Sequence, residues 1–160
     1  DPKSARGLIY RGRAANELAK AEGADSKKLI AEARDAFLDA MGVDAYDPRP
    51  RIGYYRSFVD HGQVPDENAL ISLESAFDHA GSDSEYRMLL GRQLLSEKRL
   101  ADARAVIMPV AFQGHSTGEA DADEDDPTPK RLLDAIEKGD TEAAIAQIDK
   151  FLSADEDEEK

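Results

Sequence analysis

Cysteine and tryptophan are missing from this chain of 160 residues. Disulfides, thiolate chemistry and cysteine-based zinc sites are therefore closed to it. Aromatic residues make up 6% of the sequence, and runs of β-branched residues are nearly absent, so the composition that strands prefer is missing. No apolar run approaches the ~18 residues of a membrane-spanning helix, and no signal peptide is visible. We expect no membrane insertion. A basic tract is also absent, which argues against displacing counterions from a nucleic acid. The first residue is Asp1 rather than Met, which reads as a piece of a longer protein.

Alanine, leucine and charge are plentiful. The net charge is −13, but it is concentrated in two places. Glu119–Asp126 carries six carboxylates and Asp155–Glu159 carries five, offset there by Lys160 alone; the rest of the chain sums to −3. Such runs repel themselves and favour solvent. We therefore expect an acidic flexible linker over residues 116–129 and a disordered acidic tail over residues 154–160.

The remainder reads as helices in pairs. "SARGLIYRGRAANELAKAEGA" spaces Leu8, Ile9, Ala15, Leu18 and Ala19 helically, with Ser4 as cap and Gly23 as stop. "DSKKLIAEARDAFLDAMG" follows, capped by Asp25 or Ser26 and ended by Gly42. "DPRPR" predicts a break, because the residue before a proline is biased away from the helix. A third helix is expected over "RIGYYRSFVDHG". A fourth covers "VPDENALISLESAFDHAG", with Pro65, Asp66 and Glu67 suited to its first turn. Asp83 or Ser84 caps a fifth, "SDSEYRMLLGRQLLSEKR". The sixth, "RLADARAVIMPVAFQG", is expected to kink or end near Ile107 because of Pro109. Beyond the linker, "PKRLLDAIEKGD" and "TEAAIAQIDKFLSA" form a final pair joined at Gly139.

A repeated pattern marks the second helix of each pair: Ala33, Phe37, Ala40; Leu73, Phe77, Ala80; Ala103, Ile107, Val110; and Ala144, Ile148, Phe151. Gly91 stands twelve residues before Ala103, with Leu90 and Leu94 beside it. A glycine inside a helix costs about 1 kcal/mol relative to alanine, so a neighbour must need the space. These residues resemble the tetratricopeptide repeat, whose two helices touch through small residues twelve apart. The resemblance implies an all-α fold, a tetratricopeptide-like α-solenoid of three to four antiparallel helix pairs. Residues 1–115 would hold three pairs and residues 130–153 a terminal capping pair covering apolar surface with Ala143, Ala144, Ile148 and Phe151. Gly91 and Ala103 would be the close-contact pair, with Gly12 and Ser57 in Gly91's place in the first two pairs.

A narrower resemblance covers most of residues 5–115. "AEARDAFLDAMGVDAYDPRPRIGYYRSFVDHG" and "EYRMLLGRQLLSEKRLADARAVIMPVAFQGH" are similar to the C-terminal repeat region of bacterial envelope proteins that carry a zinc-peptidase-like domain. It implies a bacterial source, cytoplasm or envelope. The two-histidine zinc motif of that domain is absent here.

Nothing in the residues points to catalysis. His61, His79 and His115 have no metal-ligand spacing. Asp121, Asp123 and Asp125 match the first positions of a calcium loop, but Asp126 and Leu132 occupy the places of its glycine and bidentate glutamate. Helical carboxylate pairs such as Asp35 and Asp39 lack any sign of a pocket. We expect no enzyme activity, no metal and no cofactor.

Arginine carries the remaining signal. Eight of the twelve arginines fall on or just before the first helices of the first three pairs: Arg6, Arg11, Arg13, Arg49, Arg51, Arg56, Arg87 and Arg92. In tetratricopeptide-like stacks those helices line the concave groove. The resemblance therefore implies a protein–protein interaction module that binds a protein or peptide, an acidic one among the candidates, through Arg13, Asn16, Arg51, Tyr54, Phe58 and Arg92. Arginine forks suit carboxylates, and aromatics add contact area. The alternative is a structural docking or self-association domain of a larger, peptidase-like protein.

Overall fold

The computed structural model describes residues 3–113 and 129–158. Eight helices and no strand occur among them, so the chain is all-α. None of these helices is long and apolar enough to cross a membrane. The chain falls into two compact units, Asp1–Gly81 and Ser82–Lys160.

The first unit holds α1 (Ala5–Leu18), α2 (Ser26–Val43), α3 (Pro48–Val59) and α4 (Glu67–His79). Side chains of Ser4, Asp25, Asp47 and Asp66 cap the four starts by accepting a backbone N–H of the first turn, which is why each helix begins where it does. The expected break is present but falls earlier, between Val43 and Pro48. Pro48 and Pro50 lie in the first turn of α3, where the backbone N–H groups that proline lacks have no intrahelical partner anyway. Each helix packs on the next, and α1 also meets α3.

Phe37 of α2 is the centre of that packing and is 1% exposed. A Cβ on Gly12 of α1 would stand 2.6 Å from its ring, and one on Gly53 of α3 would stand 2.4 Å away. The bare backbones of two helices therefore approach one ring. Ala33, Ala36 and Ala40 are fully buried around it. Ser57, the expected small residue of α3, is also fully buried, but its hydroxyl serves Arg34 and the Tyr54 carbonyl.

The second unit holds α5 (Ser84–Ser96), α6 (Leu100–Gln113), α7 (Pro129–Glu137) and α8 (Thr141–Glu158). Here α5 packs on α6, α6 on α7, α7 on α8, and α8 back on α5. Gly91, Ile107 and Ile148 meet inside. A Cβ on Gly91 would stand 2.6 Å from Ile107 Cδ1 and 4.0 Å from Ile148 Cδ1. The space left by the missing side chain is thus taken by Ile107; Ala103, the expected contact, is fully buried but lies farther off. The reason is size: the long Ile107 side chain reaches across, whereas an alanine methyl cannot. Ala144 and Ile148 of the final pair are fully buried, while Ala143 and Phe151 are half-buried.

Two boundaries differ from the sequence expectation. Pro109 lies inside α6, which continues to Gln113. The helix α8 runs to Glu158, so acidic residues 155–158, expected in a disordered tail, are helical. Of the linker expected over residues 116–129, residues 116–128, with Glu119 and the calcium-like aspartates, lie outside the described residues, as does His115, while Pro129 opens α7.

Candidate functional site

The six residues expected to form a groove have different surroundings. Asn16 is buried. Its Nδ2 donates to Asp60 Oδ2 at 3.0 Å, and its Oδ1 lies 3.0 Å from His61 Nε2. An amide oxygen can only accept, so this contact is a hydrogen bond in the tautomer that carries a proton on Nε2. Lys20 and Arg56 approach the same Asp60 carboxylate at 3.8 and 3.6 Å. Asn16 therefore ties α1 to the C-terminal end of α3.

Tyr54 and Phe58 are buried too and pack edge to face, with ring centroids 5.6 Å apart. Burial raises the Tyr54 phenol above its ordinary pKa, and Asp66 adds to this. Arg51 is half-buried and donates to the Ala45 carbonyl at 3.0 Å. Arg92, in the second unit, grips Asp149 of α8 with two bonds of 2.6 and 3.3 Å. Arg13 alone of the six is exposed with no side-chain hydrogen bond or ion pair among the described residues.

Arg13 has company that the sequence reading did not single out as a site. Arg6, Tyr10 and Arg13 stand at i, i+4 and i+7, on one stripe of α1. Arg6 donates to the Tyr10 hydroxyl at 3.2 Å, and its guanidinium lies 5.5 Å from the ring centroid. It has no carboxylate partner among the described residues. Tyr10 is 56% exposed. The hydrogen bond from Arg6 lowers its phenol pKa, and the charges of Arg13 and Arg49 add to the effect. Arg49 itself is bound to Asp47, through contacts of 2.6–3.1 Å. These bonds hold the Asp47 carboxyl below the ordinary carboxylate range, against the opposing effect of burial. The helical spacing of Arg6, Tyr10 and Arg13 could have been found in the sequence.

The neighbouring arginine shows what neutralisation looks like. Arg11 points to another face of α1, where Asp39 stands 3.7 Å away. Arg6 and Arg13, by contrast, make no ion pair among the described residues, although the charge of Arg13 helps to lower the Asp47 carboxyl.

A second feature lies along α2. An open depression of about 780 Å³ is lined by Lys27, Ala31, Arg34, Asp35, Leu38 and parts of Tyr54, His61 and Gln63. Arg34 is anchored in its wall. Its guanidinium lies 3.5 Å from the Phe58 ring centroid and donates to Ser57 Oγ, the Ser57 carbonyl and Gln63 Oε1. Burial lowers its pKa from the ordinary value. No three histidine, aspartate or glutamate side chains converge as a metal site among the described residues.

No family model, curated protein or solved structure matches the chain.

Proposed function

We propose that this chain is a noncatalytic protein-interaction module, built of tetratricopeptide-like helix pairs, that takes a carboxylate-bearing partner segment on the α1 stripe. The observation that supports it most is two arginines, Arg6 and Arg13, that make no ion pair among the described residues and flank the exposed Tyr10 ring. Arginine in this setting offers planar donors, and tyrosine supplies contact area at low entropic cost. The stacked-pair part of the reading is supported by the packing order of α1 to α4. There a second helix meets the next first helix, and α1 and α3, the two first helices, also meet. The second unit closes its four helices into a ring instead. The proposed groove is thus narrower than expected from the sequence, and centred on α1.

The test is fluorescence anisotropy with labelled peptides carrying two glutamates and a free carboxylate end. A variant with Arg6→Ala and Arg13→Ala is expected to bind about 10-fold more weakly. Arg11→Ala, whose parent residue already has Asp39, should bind like the parent chain. Equal binding by all three proteins would overturn the proposal, as would no binding of any acidic peptide.

A second reading, docking onto another part of the parent protein, is favoured by apolar side chains left at the surface. Tyr46 is 79% and Val64 87% exposed. Tyr46→Ser with Val64→Ser would weaken such docking and leave peptide binding unchanged.

A further inference from the structure

The outward ridge of α2 has a symmetry that the α1 stripe lacks. Lys27, Ala31 and Asp35 follow one another at intervals of four, and all three are exposed. Neither Lys27 nor Asp35 has a side-chain hydrogen bond or ion pair among the described residues. They are opposite charges at equal distances on either side of a small residue, each about 6 Å from it along the axis. Leu38, 49% exposed, lies on the same face, and all four residues line one side of the open depression, next to Arg34.

A two-fold axis turns this arrangement into its own complement. In such an interface residue i meets residue j while j meets i. With the axis beside Ala31, Lys27 of one copy faces Asp35 of the other, and the reverse. The ridge is an i±4 row, the row that interdigitates in the commonest class of helix packing. Alanine at the crossing lets the two backbones approach.

From this we infer that α2 is a self-association surface, and that its occupant is the α2 ridge of a second copy of this chain. It is independent of the peptide-binding reading, because it uses none of the residues of the α1 stripe. The chain's charge of −13 opposes association, but that repulsion is long-ranged. At about 0.15 M salt the Debye length is about 8 Å, so distant charges are screened while contact pairs at the crossing persist. A single helix crossing is small compared with the ~1,600 Å² of a standard interface. The dimer is therefore weak and concentration-dependent.

Sedimentation equilibrium at physiological salt, over a concentration series, tests it with the full chain. The parent chain should show a monomer–dimer equilibrium. Lys27→Glu and Asp35→Lys should each weaken it about 10-fold, because each places like charges together. The variant carrying both reversals should regain the parent affinity to within about 3-fold. A parent chain that stays monomeric at all soluble concentrations would overturn the inference. So would a dimer indifferent to the reversals, or single losses that the double variant does not recover. The absence of cysteine allows a second reading of the same contact. Ala31→Cys should form a disulfide-linked dimer under mild oxidation, and Glu32→Cys, one position around the helix, should do so far more slowly. Equal rates would place any association elsewhere.

Discussion

Arg34 of α2 lays its guanidinium over the Phe58 ring of α3, 3.5 Å from the centroid, while its N–H groups hold the Ser57 side chain and carbonyl. One side chain thus joins two helices by a ring contact and a planar set of donors. Lysine has a comparable charge but no planar fork. Arg34→Lys is expected to destabilise the chain by about 1–2 kcal/mol. Phe58→Leu removes the ring and leaves the hydrogen-bond acceptors. Urea denaturation of both single variants and the double variant should give a coupling of at least ~0.5 kcal/mol. Strict additivity would show that the ring contact contributes nothing.

Gly53 and Phe37 make the opposite kind of contact, in which a missing side chain is the requirement. A Cβ on Gly53 would stand 2.4 Å from the ring, and Gly12 borders the same ring. Helix propensity alone would favour Gly53→Ala by up to about 1 kcal/mol. Overpacking typically costs about 1–3 kcal/mol, and the ring is too enclosed to move away. The melting temperature of Gly53→Ala should therefore fall. Adding Phe37→Leu to it should cost less than the sum of the two single changes.

Lys98 invites the reverse substitution. It sits just beyond α5 with φ of 61°, where a side chain is strained. Its N–H bonds to the Leu95 carbonyl and that of Arg99 to the Leu94 carbonyl. The same two bonds follow α7, but there the left-handed position is Gly139, φ 73°. Lys98→Gly should raise stability by about 0.5–1 kcal/mol, because the relief of strain exceeds the added freedom of the unfolded chain. A lower melting temperature would contradict this.

Asp47 predicts a pH dependence. Its folded-state pKa is lowered, first by the hydrogen bonds from Arg49. Its contribution is whole above the ordinary carboxylate pKa of about 4 and is lost as pH falls through the folded value. Asp47→Asn retains a competent helix cap but loses the charge. The parent chain should be more stable than this variant at neutral pH, and the gap should shrink as the pH falls below about 4. A gap that is constant with pH would mean that the charge of Asp47 is not what matters.

Tyr10 reports on the proposed recognition stripe. Arg6 lowers its phenol pKa by donating a hydrogen bond. Arg6→Ala should move the phenol titration back toward the ordinary value, followed by ultraviolet absorbance. Arg13→Ala should move it the same way by less, since Arg13 acts only through its charge. No movement with Arg6→Ala would remove the Arg6–Tyr10 contact from the argument.

Helical character, and much of where helices begin, was legible in the sequence. Ser4, Asp25 and Asp83 cap helices as their positions suggested. These are local effects, because a cap and a helix hydrogen bond each span about four residues. The break before the third helix was legible too, but α3 begins at Pro48 rather than after the prolines, since the cost of a proline depends on whether it falls in the first turn or the interior. The small residues of α1 and α5 were also legible as close contacts, but their partners were not. Gly53, the second glycine against Phe37, carried no signal that separated it from other glycines.

The sequence by itself determined that this chain is helical and that most of its arginines collect on α1, α3 and α5. Only the tertiary structure decided which of them remain without a carboxylate. Arg92 is neutralised by Asp149, fifty-seven residues away, and Arg34 is held by Ser57, Phe58 and Gln63 of another segment. Asn16 is buried against Asp60 and His61. Arg6 and Arg13 make no ion pair among the described residues; the Asp47 carboxylate at the start of α3 feels the charge of Arg13 but is bound to Arg49. Helix formation is settled among near neighbours in the chain, whereas the neutralisation of a charge depends on which distant segment packing brings beside it.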